Sequence, residues 1–161
     1  MLNKFKDKFK LNIPKKTKDV DTDADTDSTT SSVFFVSKVL VVDDVTVNRY
    51  ILKKYIEKCR PDIKIYEANN GVVAVEMNEK YHFDMIFMDI KLGGGIDGVE
   101  TSRRIKIQDN HVKIVGSTGQ VEREIIKQCL EVGMIRVLGK PLDKKEIEYI
   151  LNGNNDIISF K

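Results

Sequence analysis

The chain has 161 residues and a formal net charge of +2; 41% of its residues are hydrophobic and 32% are charged. These values suit one globular domain with a flanking segment, and they exclude a strongly basic nucleic-acid-binding domain. The sequence contains no run of about 18 apolar residues and no apolar signal core. We therefore expect a cytoplasmic protein that does not span a membrane.

The first 37 residues differ in composition from the rest and predict a disordered tail. Residues 1–18 contain seven lysines and one aspartate, whereas residues 19–28 contain five aspartates and no base. Leu2, Phe5 and Phe9 recur at helical spacing among the lysines, so a basic amphipathic helix on a membrane surface is the alternative for residues 1–18. Isolated helices of this length are marginal in water, which favours the disordered interpretation.

The aspartates of the segment DVDTDADTDSTTSS are spaced like the start of a calcium-binding EF-hand loop. If Asp21 is the first ligand, Thr26 stands where a glycine must turn the chain and Ser32 where a bidentate glutamate is needed. The segment is therefore interpreted as an acidic, Ser/Thr-rich linker and not as a metal site.

From residue 38 onward, short apolar runs alternate with amphipathic segments, which is typical of an α/β domain. The apolar runs predict five strands: Lys38–Val42, Ile63–Tyr66, Met85–Met88, Val112–Val115 and Met134–Leu138. The other segments predict five helices: one that ends before Pro61, then Gly71–Tyr81, Gly98–Ile107, Val121–Val132 and Asp143–Leu151. Strands joined by helices run parallel, so we expect a parallel sheet covered by helices on both faces.

Two details of these helices are predicted from the side-chain pattern. Helical spacing predicts a shared buried face on the first helix, formed by Val47, Ile51, Tyr55, Ile56 and Cys59. Asp143 is placed to cap the amino end of the fifth helix.

Polar side chains that could carry chemistry follow four of the predicted strands. In chain order they are Asp43, Asp44, Asp89, Ser117, Thr118 and Lys140. Because the carboxyl ends of parallel strands meet at one edge of a sheet, we expect these side chains to converge.

The expected cluster favours magnesium and phosphoryl chemistry. A few carboxylates completed by water suit Mg²⁺ better than Ca²⁺, and Lys140 would balance the remaining negative charge. An aspartate beside a cation, an ammonium and a hydroxyl is a competent acceptor in phosphoryl transfer, where positioning and charge neutralisation dominate. No glycine-rich phosphate loop follows the first strand, which argues against a dinucleotide or nucleoside triphosphate site.

Five short segments occur in a characteristic order: VLVVDD with NR, EANNG, DMIFMDI with DG, VGST, and GKP. Together they resemble the receiver domain of response regulators in two-component phosphorelays, from about Lys38 to Gly153. The resemblance implies a single flavodoxin-like, doubly wound α/β domain with a five-stranded parallel sheet in the order 2-1-3-4-5 and five helices. It places the receiver domain at residues 38–152, between the tail of residues 1–37 and a short C-terminal tail of residues 153–161.

The resemblance also assigns the acidic residues. It implies that Asp89 is the phosphoacceptor and one of the ligands of Mg²⁺. Asp44 would bind the ion directly, Asp43 would act through water, and the backbone carbonyl of Lys91 would complete the metal site.

The remaining assignments concern the hydroxyl, the ammonium and the first helix. Thr118 would be the hydroxyl that moves to the phosphoryl group, with Ser117 as the alternative, and Lys140 would be the ion-pair partner. Asn48 and Arg49 resemble the opening of the first helix in receivers of hybrid kinases and phosphorelays.

The sequence departs from the family pattern in two places. The loop after Asp89 reads IKLGGGIDG, which is one residue longer than usual and has Gly93 where proline is common. Three glycines raise the conformational freedom of its backbone. The aromatic residue that the family places three positions before the lysine is Val137 here. A signal would therefore have to travel through Thr118 and loop movement alone.

We therefore expect a receiver that takes a phosphoryl group from a phosphohistidine on a sensor histidine kinase or a histidine phosphotransfer protein. It would catalyse only its own phosphorylation and dephosphorylation. Ten residues follow Leu151, so output would pass through contact with an unidentified downstream protein or through onward phosphotransfer, and not through nucleic acid. Two alternatives stay open: a phosphorylation-independent pseudo-receiver that serves as a binding module, and a Mg²⁺-dependent phosphohydrolase.

Overall fold

The computed structural model describes residues 35–120 and 122–154. Strands and helices alternate along the chain in the order β1 (Lys38–Val42), α1 (Thr46–Cys59), β2 (Lys64–Ala68), α2 (Gly71–Tyr81), β3 (Met85–Asp89), α3 (Gly98–Gln108), β4 (Lys113–Thr118), α4 (Arg123–Glu131), β5 (Met134–Gly139) and α5 (Lys144–Leu151). Residues 1–34 of the predicted tail lie outside the described residues, and so does the segment for which a membrane-surface helix is the alternative. The predicted C-terminal tail lies outside them from residue 155 onward.

The five strands form one parallel sheet in the order β2-β1-β3-β4-β5. This confirms the predicted flavodoxin-like α/β fold. Four strands reach further towards their carboxyl ends than predicted, since β2 ends at Ala68, β3 at Asp89, β4 at Thr118 and β5 at Gly139. The polar residues at these ends therefore belong to the sheet and are held by its hydrogen bonds.

The hydrophobic core lies on both faces of the sheet, because alternate residues of each strand point to opposite sides. On one face, Val39, Val41 and Phe87 pack with residues of α1 and α5. On the other face, Leu40, Ile86 and Met88 pack with residues of α2, α3 and α4. None of the described helices is long and apolar enough to cross a bilayer.

Three helices begin at a capping side chain that satisfies a free backbone amide of the first turn. Asn70 accepts from the amide of Val73 at the start of α2, and Asp97 accepts from Glu100 at the start of α3. Asp143 accepts from the amide of Lys145 over 2.8 Å, which confirms the predicted cap of α5.

The predicted buried face of α1 is wrong in its first half. The helix buries Leu52 and Ile56, whereas Val47 and Ile51 are 57% and 43% exposed. The inward face is the one that contacts β1 and α5. The prediction failed because the outward face also carries apolar residues, which the pattern cannot distinguish from buried ones. Because Val45 and Tyr50 are also exposed, the amino end of α1 carries an apolar surface, here called the α1 patch (Val45, Val47, Tyr50 and Ile51).

The amino ends of β1 and β3 are joined by the carboxylate of Asp84. Its Oδ2 atom accepts hydrogen bonds from the amide of Ser37 (2.9 Å), the hydroxyl of Ser37 (2.8 Å) and the amide of Lys38 (2.8 Å). This anchor lies at the edge of the sheet opposite the polar residues described next.

Candidate functional site

The polar residues predicted from the strand ends meet at one edge of the sheet. Asp89 is the last residue of β3, Thr118 is the last residue of β4, and Asp43 directly follows β1. Lys140 follows β5, and its amide donates to the carbonyl oxygen of Thr118 over 2.7 Å. The strand order reverses beside β1, and open α/β sheets bind their ligands at such a switch point.

Three carboxylates form the centre of this edge. Asp43, Asp44 and Asp89 each offer one oxygen, and these oxygens lie within 4.8 Å of one another. Asp43 and Asp89 are buried and Asp44 is exposed. Like charges at this separation repel one another, so the cluster requires a positively charged partner.

Lys140 supplies part of that positive charge. Its Nζ atom lies 2.7 Å from Asp43 Oδ2 and 2.9 Å from Asp89 Oδ2. Burial by itself lowers the pKa of Lys140, but the hydrogen bonds to the two aspartates outweigh it and hold the pKa above the ordinary value. The ammonium therefore stays charged and balances one of the three negative charges.

The carboxylate of Asp43 is surrounded by protein donors. Oδ1 accepts from the amide of Val45 (2.8 Å), both oxygens accept from Asn48 Nδ2 (3.1 Å each), and Oδ2 also accepts from Lys140. A carboxylate has about four lone-pair sites, so Asp43 has little capacity left for a direct metal bond. The water-mediated metal contact predicted for Asp43 stays a prediction.

Asp44 has a different environment on the outer side of the cluster. Its Oδ2 atom accepts a hydrogen bond of 3.1 Å from the amide of Gly93, in the loop between β3 and α3. Its exposed carboxylate is therefore more open to an incoming cation than that of Asp43.

Asp89 is held at the centre of the cluster by the sheet and by the amide of Lys91, which donates to Oδ1 over 3.2 Å. Burial raises the pKa of Asp89 above its ordinary value, and the charge of Asp43 adds to the rise, while Lys140 opposes it. Because burial leaves this carboxylate poorly hydrated, less water must leave before it can react.

The hydroxyl groups at the end of β4 are engaged in hydrogen bonds with nearby backbone atoms. Thr118 Oγ1 accepts from the amide of Gln120 (3.1 Å) and donates to its carbonyl oxygen (3.2 Å). Ser117 Oγ donates to the carbonyl oxygen of Met88 over 3.5 Å. To bind a group attached to Asp89, the Thr118 hydroxyl would have to break its hydrogen bonds with Gln120.

Two contacts around the site were not predicted from the sequence. The ammonium of Lys91 donates to the side-chain oxygen of Gln120, which joins the loop after β3 to the loop after β4. Arg49 donates from its NH1 atom to the carbonyl oxygen of Asp43 over 2.7 Å. The motif that contains Asn48 and Arg49 singled out these residues, but only the structure shows that both bind Asp43.

The donor set of the cluster fits a hard divalent cation. The three aspartates offer only oxygen, and their charge exceeds that of the Lys140 ammonium. Oxygen-rich sites with few carboxylates and an open side suit Mg²⁺. The part predicted for the carbonyl oxygen of Lys91 in the metal site stays a prediction.

A family model described as the response regulator receiver domain matches residues 39–152, which is more than two thirds of the chain. The chain belongs to this family. The receiver domain is 30% identical over 110 residues to sporulation initiation phosphotransferase F of Bacillus subtilis, covering 68% of this chain and 86% of that protein. Receiver domains are in general signalling modules and not enzymes, and this one is a receiver of two-component signalling.

Several relatives are much longer proteins. The match to hybrid signal transduction histidine kinase L of Dictyostelium discoideum has 30% identity over 130 residues and covers 73% of this chain but 8% of that kinase. Among solved structures, the receiver domain of a sensor histidine kinase from Pseudomonas aeruginosa PAO1, described with magnesium coordinated in its active-site cleft, matches with a TM-score of 0.66 and 27% identity. That match covers 74% of this chain and 98% of the Pseudomonas chain.

Proposed function

We propose that this receiver accepts a phosphoryl group from a phosphohistidine donor onto Asp89, in a reaction that requires Mg²⁺. One observation carries the proposal: Lys140 lies between Asp43 and Asp89 while oxygens of Asp43, Asp44 and Asp89 gather within 4.8 Å. The arrangement provides a nucleophile, a fixed cation and an acidic pocket at one point.

In the transfer, a carboxylate oxygen of Asp89 forms a bond to phosphorus as the bond from phosphorus to the donor's histidine nitrogen breaks. The leaving imidazole keeps the electron pair of the broken bond. Asp44, Asp89 and the carbonyl oxygen of Lys91 would hold Mg²⁺, with Asp43 acting through water, and the ion supplies charge neutralisation for the phosphoryl oxygens. Lys140 and Thr118 would bind two of those oxygens.

The comparisons support this proposal at the level of the family. The Pseudomonas receiver is described with magnesium in its active-site cleft, and the Bacillus relative is named a phosphotransferase. Several other relatives are sensor or hybrid histidine kinases. We therefore propose a sensor histidine kinase or a histidine phosphotransfer protein as donor, with output through contact with a downstream protein or onward phosphotransfer.

The α1 patch is the surface that we assign to the donor. It begins directly after Asp44, so a protein bound there would bring a phosphohistidine close to the acidic cluster. Exposed apolar side chains that are grouped beside polar residues are typical of protein interaction sites.

We further propose residues 38–152 as the boundaries of the receiver domain, with residues 1–37 and 153–161 as flanking segments. The strands and helices from β1 to α5 all lie within these bounds.

A second candidate function is a pseudo-receiver that binds partners without taking a phosphoryl group. It is favoured by the engagement of the Thr118 hydroxyl with Gln120 and by Val137 in place of an aromatic residue. The phosphohydrolase alternative has no supporting observation among the described residues.

One experiment separates these functions. The protein is incubated with acetyl phosphate and Mg²⁺, or with beryllium fluoride and Mg²⁺, and its intact mass and amide spectra are recorded beside those of Asp89→Asn. We expect a gain of one phosphate that Asp89→Asn abolishes. Asp97→Asn is the matched control, because asparagine also caps α3 and Asp97 lies outside the cluster.

Absence of any phosphate gain or spectral response in the wild type would contradict the proposal and support the pseudo-receiver. Turnover of unrelated phosphate esters would support the phosphohydrolase.

A further inference from the structure

The loop between β3 and α3 contributes two backbone amides to the acidic cluster. The amide of Lys91 donates to Asp89 Oδ1 over 3.2 Å, and the amide of Gly93 donates to Asp44 Oδ2 over 3.1 Å. The two carboxylates belong to different strand ends. One short segment of backbone therefore holds both of them.

The shape of the loop depends on its glycines. Gly94 and Gly95 have φ values of +83° and +129°, which side chains other than glycine rarely adopt. The far end of the loop is fixed, because the amide of Gly98 donates to the carbonyl oxygen of Ile90 over 3.0 Å. The loop is thus tied at both ends while its middle turns through positive-φ glycines.

Gly93 can donate to Asp44 only because it is not proline. Proline has no backbone N–H, so a loop with proline at this position would lack this hydrogen bond. A β carbon at Gly93 would lie 3.0 Å from Asp44 Oδ2. Because Asp44 is exposed, its side chain has room to yield by a few tenths of an ångström, so alanine would keep the donor at a small steric cost.

We infer that the backbone amide of Gly93 is a positioning group that orients the Asp44 carboxylate for a divalent cation. This inference rests on the proposed function in taking Asp44 as a metal ligand. Asp43 and Asp89 are restrained by several donors within the fold, whereas Asp44 is exposed and accepts a hydrogen bond from the amide of Gly93. A hydrogen bond to one oxygen of a carboxylate restricts the orientation of the whole group, which is how outer-shell donors act on metal ligands.

The first test compares Gly93→Pro with Gly93→Ala by calorimetric titration with MgCl₂, in the absence of any phosphodonor. Loss of an outer-shell partner costs roughly 10-fold or more in metal affinity. We therefore expect Gly93→Pro to bind Mg²⁺ roughly 10-fold more weakly than the wild type, and Gly93→Ala to stay within about threefold of it. A ¹H–¹⁵N spectrum of each variant establishes that the fold is intact.

The second test needs neither metal nor a proline variant. Amide hydrogen exchange of Gly93 is measured in the metal-free wild type and in Asp44→Ala. We expect the Gly93 amide to be protected in the wild type and to exchange roughly 10-fold faster in Asp44→Ala, because its acceptor is gone.

The outcomes distinguish this inference from the proposed function. Equal or tighter Mg²⁺ binding by Gly93→Pro than by Gly93→Ala would overturn the role of Gly93 and leave the metal site intact. Unprotected exchange of the Gly93 amide in the wild type would also overturn the role of Gly93 without affecting the proposed metal site. A wild type that binds no Mg²⁺ would overturn both the metal site and this inference.

Discussion

The ammonium of Lys140 lies 2.9 Å from a carboxylate oxygen of Asp89, and this pair joins the end of β5 to the end of β3 across β4. The same ammonium also binds Asp43. One cation is thus shared by two aspartates, while the third aspartate, Asp44, faces solvent. The stability of this receiver and its proposed metal binding therefore both depend on the charge of a few side chains.

Replacing Asp44 with asparagine is expected to stabilise the protein when no metal is present. The substitution removes one of three clustered negative charges, and relief of such repulsion contributes about 0.5–1 kcal/mol to the free energy of unfolding. Mg²⁺ should raise the free energy of unfolding of the wild type but not that of Asp44→Asn, because only the wild type binds the ion. Urea unfolding with and without MgCl₂ measures both effects, with Asp97→Asn as control. An Asp44→Asn variant that Mg²⁺ still stabilises fully would contradict the assignment.

Asp89 should make the protein less stable as the pH rises. Its pKa is raised above 3.8 by burial, so the folded protein keeps this proton to a higher pH than the unfolded chain does. The folded state then binds more protons, and the free energy of unfolding falls as the pH increases from 3.8 through the raised pKa. Lys140, whose pKa is raised above 10.5, stays charged throughout that range.

The measurement is urea unfolding of the wild type and of Asp89→Asn from pH about 4 to about 7. Asp89→Asn has no proton to lose, so the difference in stability between variant and wild type should grow with pH. Parallel pH profiles for the two proteins would show that the pKa of Asp89 is not raised.

The hydroxyl of Thr118 is expected to have two positions. Without a ligand it binds the backbone of Gln120. Thr118→Val removes the hydroxyl and should lower the free energy of unfolding by about 1 kcal/mol, whereas Thr118→Ser keeps a hydroxyl and should lose only a small part of that stabilisation. On addition of beryllium fluoride and Mg²⁺, the Gln120 amide of the wild type should lose protection against hydrogen exchange as the hydroxyl leaves it. In Thr118→Val that amide should exchange fast in both conditions. An unchanged Gln120 amide in a wild type that has bound the mimic would rule out this movement.

Gly98 is expected to tolerate no side chain. A β carbon there would lie 2.1 Å from the carbonyl oxygen of Asp89 and 2.8 Å from the Cα atom of Ile90, both of which are backbone atoms at the end of β3. Gly98→Ala should therefore lower the free energy of unfolding by about 3 kcal/mol. Gly119→Ala is the matched control in a neighbouring loop, since a β carbon there meets nothing within 4 Å, and it should change stability by about 0.5 kcal/mol or less. Equal thermal unfolding midpoints for the two variants would contradict this account of Gly98.

A charge in the α1 patch should slow phosphotransfer from a protein donor but not from a small molecule. Ile51→Lys is compared with Ile107→Lys, because Ile107 is an apolar residue of α3 that is 80% exposed and lies outside the patch. With a purified, phosphorylated histidine phosphotransfer domain as donor, only Ile51→Lys should lower the rate, by roughly 10-fold. With acetyl phosphate both variants should match the wild type. Equal rates of Ile51→Lys and wild type with the protein donor would show that the donor does not dock on the α1 patch.

The fold could be predicted because the three central strands, β1, β3 and β4, are buried on both faces and stand out as apolar runs. Lys38–Val42 was predicted to the residue, and the strand ends carried the polar groups that now lie at one edge. Helix α1 was less predictable, since Val47 and Ile51 have the spacing of a buried face but lie at the surface. Periodicity identifies apolar residues, yet it does not say whether the fold or a partner covers them.

The backbone contacts of the site could not be read from side-chain types. The amide of Gly93 reaches Asp44 only when the loop after β3 folds back over the end of β1. A run of glycines is compatible with many loop conformations, so the sequence does not predict this one. The two hydrogen bonds from Asn48 to Asp43 had a partial signal, because Asn48 belongs to the motif at the start of α1. The position of the Thr118 hydroxyl depends on a turn of its own loop, which the sequence does not encode in any recognisable pattern.

Asp84 holds the amino end of β1, whereas the charged residues of the site lie at the carboxyl end of the same strand. The register of β1 and the chemistry of the site are therefore determined at opposite ends. Because Ser37 and Lys38 are hydrogen-bonded to Asp84 at the amino end of β1, the register of that strand against β3 is set far from the charged residues at its other end. Replacement of a charged side chain at that other end would therefore leave these hydrogen bonds of β1 in place. A lineage that no longer needs the reaction would keep the scaffold, which makes this architecture well suited to evolutionary reuse.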